Sequence, residues 1–577
     1  MERSKQSAII CIALLSFCAT TSARIIYVDE DANAPANGTS WQTAYKYLQN
    51  ALAAAKDGDE LRIAQGVYRP DRSAANPQGT GDSYISFDIP RGITLTGGFA
   101  GLSSGDPNAR DVKRYETILS GDLAGNDAKI ANPANIANDP TRADNSYHVI
   151  TVMDKGAGDD LVFAGEATFD GLVVTAGHMR GRMKTGGGLY VELAASSLME
   201  TVPPRVTVRD CAFKDNFADW NGGGMCIDGG RLALERCLFT NNGSGRGGSG
   251  LTTIGGTVAL TDCQFTGNRT TESGGGGGWF CSPTATAVAT RCKFTGNSAG
   301  WGGGIEGIGN MKLIDCVVAD NVAQYYGGAF TGGSLKTEFT GCRFTGNRAG
   351  TIGGAIEAGE SLSLKNCVLS GNKAGESGGA VSGANMDCQF GNCTFAGNLA
   401  PQGRFLADRT RASGQSRVQV ANCIVSDGGD EIWNEHTNLT VRYTDLRGGA
   451  SVIHDPCSLI ECGAGDLYAD PCFADPGRWD DNATPNDPND DVWVEGDYHL
   501  KSLAGRWDPN EQRWVMDDVS SPCIDAGDPN SLVGDEPEPN GGRINMGAYG
   551  GTSEASMSYF DEQDFMGDSK SFSFILP

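Results

Sequence analysis

Two glutamates and several aromatic residues offer the clearest chemistry in this sequence. Glu306 and Glu357 each stand four residues after the start of a glycine run. The residue just before a run is aromatic or apolar in three cases, at Trp301, Tyr326 and Ile352. Carboxylates bond hydroxyl groups or exchange protons with a substrate, and aromatic faces pack on apolar ring surfaces. The pattern therefore predicts a face suited to sugars.

An earlier glycine run has Trp220 and Asp228 nearby, and these two residues with Trp301 and Tyr326 are the predicted substrate-binding residues. The competing interpretation is a solvated face whose aromatic residues cover apolar surface at corners. If Glu306 and Glu357 lay two stacked strands apart, about 9.6 Å would separate them. That is near the upper limit of roughly 6.5–9.5 Å for an inverting carboxylate pair. Both are weak catalytic candidates, because any two acids so spaced would qualify.

The composition limits the partners of the chain. It has 577 residues, of which 82 are glycine, and acidic residues outnumber basic ones by 71 to 45, for a net charge of -26. Such a surface repels nucleic acid, and no basic cluster offsets it. No cofactor is predicted, although Ca²⁺ binding by acidic loops fits the charge. The length exceeds one compact core and favours a repeat array or several domains.

The first residues predict export. Arg3 and Lys5 form a short basic region, an apolar stretch runs from Ala8 to Cys18, and Thr21-Ser22-Ala23 offers a cleavage site before Arg24. No later apolar stretch is long enough to span a bilayer. We therefore expect a signal peptide over 1–23 and an extracellular, cell-surface or periplasmic protein with no transmembrane segment after cleavage. The outer membrane is a further place where it could be held.

A repeated unit, Cys-x-[Phe/Val/Leu]-x-x-Asn, organises the middle of the chain, with successive cysteines 24 to 30 residues apart. The cysteines are Cys211, Cys237, Cys263, Cys292, Cys316, Cys342, Cys367, Cys393 and Cys423. The asparagines are Asn216, Asn242, Asn268, Asn297, Asn321, Asn347, Asn372 and Asn398, and Asp427 takes this place in the last copy.

Each unit predicts one coil of a solenoid. Leu362 and Leu364 alternate with polar residues, and then the phase shifts to Cys367 and Leu369. A shift in a period of two marks a corner between short strands. With the glycine-run strand, each unit supplies three strands, and stacked units give three parallel sheets. A β-propeller needs blades of about 40–45 residues, and a leucine-rich repeat needs a leucine pattern that is missing here. We predict an all-β, right-handed parallel β-helix.

The cysteines outside the signal separate into two groups. The nine repeat cysteines are predicted to point inward as buried free thiols at equivalent corners, where they and the asparagines form structural ladders. Cys457, Cys462, Cys472 and Cys523 lie in loop-rich sequence, where we expect one or two disulfides of undetermined pairing. No Cys-x-x-Cys pair occurs, so no zinc site is predicted.

The remaining segments are assigned from local signals. A capping box of Thr39 and Gln42, followed by apolar residues at helical spacing to Ala55, predicts a helix that covers the open first coil. We assign 24–70 to an N-terminal cap and 71–204 to first, irregular coils. The regular coils occupy 205–429, the last coils and a C-terminal cap 430–550, and a tail 551–577.

Three stretches resemble a known superfamily. The opening Tyr27-Val28-Asp29 and the Cys/Asn coils resemble bacterial β-helix proteins of the pectate-lyase-like and polymorphic outer membrane protein type. The closing Ser521–Asp528 and Gly542–Tyr549 resemble tails of planctomycete-type exported members. The resemblance implies the fold and leaves the activity open, since the superfamily holds lyases, hydrolases and adhesins.

Two functions stay open on the sequence. The polygalacturonase pattern and the arginine-rich pectate lyase signature are not recognisable, and the histidines are scattered at His148, His178, His436, His454 and His499. We therefore expect a scaffold that binds polysaccharide or neighbouring surface molecules. The alternative is a polysaccharide lyase or glycoside hydrolase that uses Glu306 and Glu357.

Overall fold

Stacked parallel sheets build the protein. The computed structural model describes residues 23–558 except 34–35, 91, 131–132, 154–165, 182–184, 193–204, 272, 334, 411–415, 458, 486 and 488–489. Within these residues, strands from successive coils pair in parallel in sheets of 15, 13, 13 and 8 strands, here named A, B, C and D. The chain passes through A, B, D and C in turn before it rises to the next coil.

The strand bounds follow the repeat along the chain. Sheet A holds Ile25–Val28, Glu60–Ala64, Thr94–Phe99, Glu166–Asp170, Arg205–Arg209, Arg231–Glu235, Gly256–Thr261, Ala285–Thr290, Asn310–Ile314, Lys336–Thr340, Ser361–Lys365, Asp387–Gly391, Arg417–Ala421, Asn438–Arg442 and Ile460–Cys462. Sheet B holds Gly66–Tyr68, Thr117–Ser120, Leu172–Thr175, Ala212–Lys214, Leu238–Thr240, Gln264–Thr266, Lys293–Thr295, Val317–Ala319, Arg343–Thr345, Val368–Ser370, Thr394–Ala396, Ile424–Ser426 and Asp445–Leu446.

The other two parallel sheets complete each coil. Sheet C holds Phe87–Asp88, Ile150–Met153, Leu189–Glu192, Met225–Asp228, Leu251–Ile254, Trp279–Cys281, Ile305–Gly307, Phe330–Gly332, Ile356–Ala358, Val381–Gly383, Leu406–Asp408, Ile432–Trp433 and Ile453–His454. Sheet D holds His178–Met179, Phe217–Ala218, Gly243–Ser244, Arg269–Thr270, Ser298–Trp301, Val322–Tyr326, Arg348–Ala349 and Lys373–Ala374. The sequence predicted three sheets. Sheet D is an addition, because the chain between the asparagine and the glycine run is extended long enough to pair.

The repeat cysteines lie inside the corner between sheets A and B. The residue before each cysteine turns the chain, and in eight of the nine coils it is a non-glycine residue with positive φ: Asp210, Arg236, Asp262, Arg291, Asp315, Asn366, Asn392 and Asn422. The thiol that follows is buried and donates to the carbonyl two residues earlier, as Cys316 Sγ does to Ile314 at 3.3 Å. A small, weakly polar side chain suits this place.

The asparagines form a buried ladder at the next corner. Asn321 Nδ2 donates to Phe294 O of the previous coil at 2.8 Å and to Asn347 Oδ1 of the next at 3.0 Å. The backbone N–H of Asn321 also donates to Asn347 Oδ1, at 3.0 Å. The residue before each asparagine adopts the left-handed conformation, as at Asp320 (φ 55°), which frees the asparagine side chain to point inward.

A single core fills the coil interior from end to end. Stacked rings run along sheet B, with centroids 4.6 to 4.9 Å apart between successive members of the set Phe213, Phe239, Phe265 and Phe294. This spacing matches the distance between neighbouring strands, so each ring stacks on its equivalent in the next coil.

The N-terminal cap differs from its prediction in where the helix begins. Only Leu48–Ala54 is α-helical, and a short 3₁₀ helix, Trp41–Thr43, precedes it with a capping box between Ser40 and Thr43. Tyr45 cannot continue a helix, because its backbone bonds both Tyr27 and Asp29 as an extended strand. Buried Leu48, Ala51 and Leu52 close the core at the first coil. The remaining 3₁₀ helices are Gly101–Ser103, Pro133–Asn138, Pro140–Asp144 and Gly449–Val452.

The chain after Cys462, here named the covering segment, folds back along sheet B. It forms three antiparallel pairs: Phe473–Asp475 with Asp497–Leu500, Arg478–Asp480 with Val492–Val494, and Arg506–Asp508 with Arg513–Val515. Its buried residues pack on Val368, Ala396 and Ile424, which face outward from sheet B. A Cβ at Gly371 or Gly397 would overlap the Trp493 ring, so these glycines admit the covering segment.

The two predicted terminal segments lie largely outside the described residues. The predicted signal peptide lies outside the described residues except for Ala23, and so does the tail from 559 onward. The part of the tail that is described is packed: Ser502 Oγ donates to Met557 O at 2.6 Å, and Ala555 is buried.

The expected disulfides do not form. All cysteines in the described part of the chain are free thiols, and Cys457 and Cys462 are exposed. Cys523, which lies in the covering segment, is buried, and its Sγ lies 3.4 Å from Asp445 Oδ2. Its thiol is therefore held against an aspartate and has no cysteine partner.

The ladder generates a stability prediction. Replacing Asn321 with leucine leaves the buried backbone N–H of Asn297 without its acceptor, removes one of two acceptors of the Asn297 side-chain amide, and takes a donor from the Phe294 carbonyl. These losses cost about 3 kcal/mol of unfolding free energy. Urea denaturation measures this loss. The matched control is Asn310→Leu, an exposed position on sheet A, which should change stability by no more than about 0.5 kcal/mol. Equal stability of the two variants would contradict the role given to the ladder.

Candidate functional site

One outward-facing residue of every sheet C strand stacks on its equivalent in the next coil. Neighbouring residues on each strand, such as Ile305 and Ile356, point into the core, so this residue faces outward. We name the set the sheet C row. It consists of Asp88, Thr151, Tyr190, Cys226, Thr252, Phe280, Glu306, Thr331, Glu357, Ser382, Ala407, Trp433 and His454. At about 4.8 Å per strand it is about 58 Å long.

The row follows from the turn before each strand. A glycine with positive φ precedes the row residue by four positions in the nine coils from Tyr190 to Ala407, as Gly302 (φ 55°) precedes Glu306 and Gly353 (φ 63°) precedes Glu357. The two glutamates were predicted from this spacing. Phe280 was not predicted, because five consecutive glycines, 274–278, precede it and the sequence does not show which of them makes the turn. In the structure that glycine is Gly276.

Aromatic residues at both ends of the sheet C row were also missed. Tyr190 stacks on His148 with ring centroids 5.1 Å apart, and Trp433 stacks on His454 at 3.7 Å. Both lie in coils where the Cys/Asn repeat is degenerate or absent. Only the strand pairing shows that they continue the row. Acidic and hydroxyl side chains thus lie between two aromatic ends.

Glu306 occupies a space that a glycine provides. A Cβ at Gly275 in the previous coil would overlap the Glu306 carboxylate, so the side chain lies across the backbone at that point. No hydrogen-bond partner satisfies this carboxylate among the described residues. Burial raises the pKa of Glu306 from 4.5 to about 7. The group is therefore protonated over a large part of the neutral range and is able to donate a proton.

Glu357 lies two coils further on, with Thr331 between the two glutamates. Burial raises the pKa of Glu357 to about 7, Arg409 opposes the rise, and the charge of Glu306 adds to it. The two carboxyls therefore sense each other along the row. Thr331 Oγ1 donates to Tyr326 O at 3.1 Å, which fixes the hydroxyl between them. Two strand spacings correspond to about 9.6 Å between backbones.

Two of the predicted aromatic residues flank the glutamates. Trp301 and Tyr326 pair in register at the corner between sheets D and C, and Ile352 continues the line. Tyr325 and Tyr326 are exposed to 36% and 38%, and the Tyr325 ring centroid lies 6.1 Å from that of Trp301. These rings form an exposed aromatic edge beside the sheet C row.

The other two predicted binding residues lie apart from this group. Asn221, not Trp220, aligns with the glycine line that leads to Trp301, so Trp220 is one residue out of register. The guanidinium of Arg246 covers it, 4.2 Å from the ring centroid. Asp228 lies beside Glu192 in a second outward row of sheet C and is exposed at the surface. Partial loss of solvent around its carboxyl raises its pKa, and the negative charge of Glu192 adds to the rise. The structure therefore does not bring these two residues to the glutamates.

Two further features concern metals and membranes. Across the described ranges, no group of three or more His, Cys, Asp or Glu side chains is arranged to hold a metal ion. Ca²⁺ binding stays a prediction. Within the same residues, no helix has the length and apolar character needed to cross a membrane.

Comparison with known families identifies the repeating part of the chain. A family model described as right handed beta helix region matches residues 185–355 and again 277–446. Together with the parallel pairing of the four sheets, this match confirms the predicted right-handed parallel β-helix fold. A second model, described as disaggregatase related, matches residues 462–527 of the covering segment. No curated protein matches the chain.

The solved structures that match the chain are distant from it in sequence and in structure. Pectate lyase Pel9A is 14% identical over 92% of this chain and 96% of its own, with a TM-score of 0.33. Rhamnogalacturonan lyase is 13% identical over 87% and 96%, with a TM-score of 0.26. XylC, solved with xylose, is 9% identical over 83% and 90%, with a TM-score of 0.29. The fold assignment rests on the strand pairing and the family match.

The raised pKa of Glu306 predicts a pH dependence of stability. Between pH 4.5 and about 7 the unfolded chain releases this proton before the folded chain does, so unfolding becomes easier as pH rises. Glu306→Gln removes this contribution, and its melting temperature should fall less across that range than that of the wild type. Thermal denaturation at several pH values measures the difference. The control Glu360→Gln, at an exposed turn position, should keep the wild-type slope. Parallel profiles for Glu306→Gln and wild type would count against a buried, uncharged carboxyl.

Proposed function

We propose that the protein is exported and binds a linear polysaccharide outside the cell along the sheet C row. One observation carries the proposal: aromatic, hydroxyl and carboxyl side chains lie in register on neighbouring coils where the sheet C row is partly exposed, at Phe280, Glu306, Thr331 and Glu357. A linear polymer has a repeat of its own and is able to contact such a row at several places. Many weak contacts along one chain then add up to firm retention.

The chemistry of the row favours a sugar polymer over other linear partners. Aromatic faces at Trp301 and Tyr326 pack on the apolar faces of sugar rings, while the glutamates accept from hydroxyl groups when ionised and donate when protonated. The net charge of -26 disfavours nucleic acid. A peptide that adds a strand needs a free sheet edge, and the inner strands of sheet C are paired on both sides.

The aromatic edge gives the first test. In affinity electrophoresis of residues 24–577 through gels that each contain one polysaccharide, at least one polymer should retard the protein. The double variant Trp301→Ala, Tyr326→Ala should bind that polymer about tenfold or more weakly, since buried aromatic contacts contribute on the order of 2 kcal/mol. Tyr468→Ala, at an aromatic position exposed to 57%, is the control and should bind normally. Equal retardation of all three proteins would exclude this edge as the binding surface.

A second candidate function, cleavage of the bound polymer, is favoured by the glutamate pair. Glu306 and Glu357 face the same side, both have a pKa of about 7, and one threonine separates them along the row. One carboxyl in its acid form and one ionised carboxylate are the two groups that inverting hydrolysis needs. The mutual charge effect favours a state in which only one of them is ionised.

The two functions predict different products. Incubation with the retained polymer, with and without Ca²⁺, is followed by assays for new reducing ends and for the absorbance of unsaturated uronate. Reducing ends alone indicate a hydrolase, and both signals together indicate a lyase. Under cleavage, Glu306→Gln and Glu357→Gln should each lower the rate at least about 100-fold, while Glu360→Gln does not. Retention without products leaves the binding scaffold as the function.

A further inference from the structure

A cleft on sheet D lies outside the site described above. It has a volume of about 690 Å³ and follows the outward face of the sheet from Phe217 to Val322. Four strand steps separate these two residues, so the cleft is about 19 Å long. Its volume is in the range of small-molecule sites, and its length suits an oligosaccharide better than a single sugar.

One end of the cleft is closed. The 3₁₀ helix Pro133–Asn138 crosses the face there, and Ile136 is buried against Phe217 and Gly243. A Cβ at Gly243 would lie 2.8 Å from Ile136 Cγ2, so the glycine lets the wall approach. At the other end the cleft reaches Val322, which is exposed to 46%, and the strand that continues to Tyr325 and Tyr326. A linear ligand would therefore enter past the aromatic edge and stop at the wall.

The lining is polar, and its charge is unlike that of the rest of the protein. Hydroxyl and amide side chains line it at Asn138, Thr271, Ser273, Ser298 and Gln324. Among the described lining residues there is one cation, Arg269, and no acid. Arg269 is exposed and has no carboxylate partner among the residues that the structure describes. In a chain with a net charge of -26, an arginine that has no carboxylate partner among the described residues, in a cleft whose described lining holds no acid, favours an anionic ligand.

The same row of sheet D already attracts acidic groups further along. Arg269 is followed by Ser298, Val322, Arg348 and Lys373 at equivalent positions. There the covering segment lies on the row: Arg348 donates to the carbonyl of Asp491. Asp487 and Asp491 also favour the charged form of Lys373, and so oppose the lowering of its pKa by burial. Residues of the covering segment thus lie against Arg348 and Lys373, whereas Arg269 faces the open cleft.

We infer that the sheet D cleft is a second carbohydrate site, which binds the end of an oligosaccharide that carries an anionic substituent on Arg269. The substituent is a carboxylate or a sulfate ester, since either presents oxygens to a guanidinium. Hydroxyl and amide side chains along the cleft bond the sugar hydroxyls. A peptide is disfavoured, because sheet D strands in this region are paired on both sides and offer no free edge.

Matched tetrasaccharides test this site. On gluco and galacto backbones, the substituent at C6 is a hydroxyl, a carboxylate or a sulfate, and binding to residues 24–577 is measured by calorimetry. At least one anionic form should bind at least tenfold more tightly than its neutral partner, and the arm that binds identifies the substituent. Arg269→Gln should remove that difference. Arg231→Gln, an exposed arginine position on sheet A, is the control and should preserve it.

A second variant and a parallel measurement keep the outcome clear. Ser298→Trp fills the cleft and should abolish binding of the tetrasaccharide without changing the far-ultraviolet circular dichroism. Polymer retention along the sheet C row should stay within about twofold in Arg269→Gln, so the failure of one site is distinguishable from that of the other. The inference is overturned if no tetrasaccharide binds at millimolar concentration, if anionic and neutral forms bind alike, or if both arginine variants behave alike.

Discussion

The buried asparagine ladder is the interaction on which the rest of this structure depends. Each amide bonds the carbonyl of the coil before it and the asparagine of the coil after it, so both polar atoms of the asparagine side chain are bonded at that corner. A coil cannot shift by one residue without losing all of these bonds together. At the far end Asp427 accepts from Asn398 in place of an asparagine, and burial beside Glu431 raises its pKa well above the usual range.

The fixed register turns a repeated sequence into continuous surfaces. Because equivalent residues stack at every coil, a side chain at one place in the unit generates a line along the solenoid axis. Inward lines hold the thiols and the stacked phenylalanines, and outward lines hold the sheet C row and the sheet D cations. The chemistry of each face is therefore decided by which residue the sequence places four positions after a turning glycine or just after the asparagine.

The covering segment then decides which faces stay open. It packs on sheet B, where Glu495 accepts from Ser370 Oγ at 2.8 Å and pairs with Arg343 at 3.2 Å. Its acidic residues also reach the last cations of sheet D. The glutamates of sheet C and the cleft around Arg269 lie away from these contacts. Binding surfaces and covered surfaces are thus divided by the path of one segment.

The sequence by itself determined the coil. The Cys/Asn period, the phase shift between Leu364 and Cys367, and the glycine runs required stacked parallel strands, because only that arrangement buries every copy of the pattern alike. It also placed Glu306, Glu357, Trp301 and Tyr326 near one another, since these are equivalent positions in coils of nearly equal length.

Only the tertiary structure decided what lies outside the period. Trp220 is one residue out of register, Tyr190 and Trp433 extend the row from irregular coils, and the segment after Cys462 covers sheet B. The cleft at Arg269 exists because an insertion distant in sequence, Pro133–Asn138, crosses sheet D. These features arise from contacts between residues far apart in the chain. No local period encodes such contacts, because their energies depend on surfaces that form only once the coils have stacked.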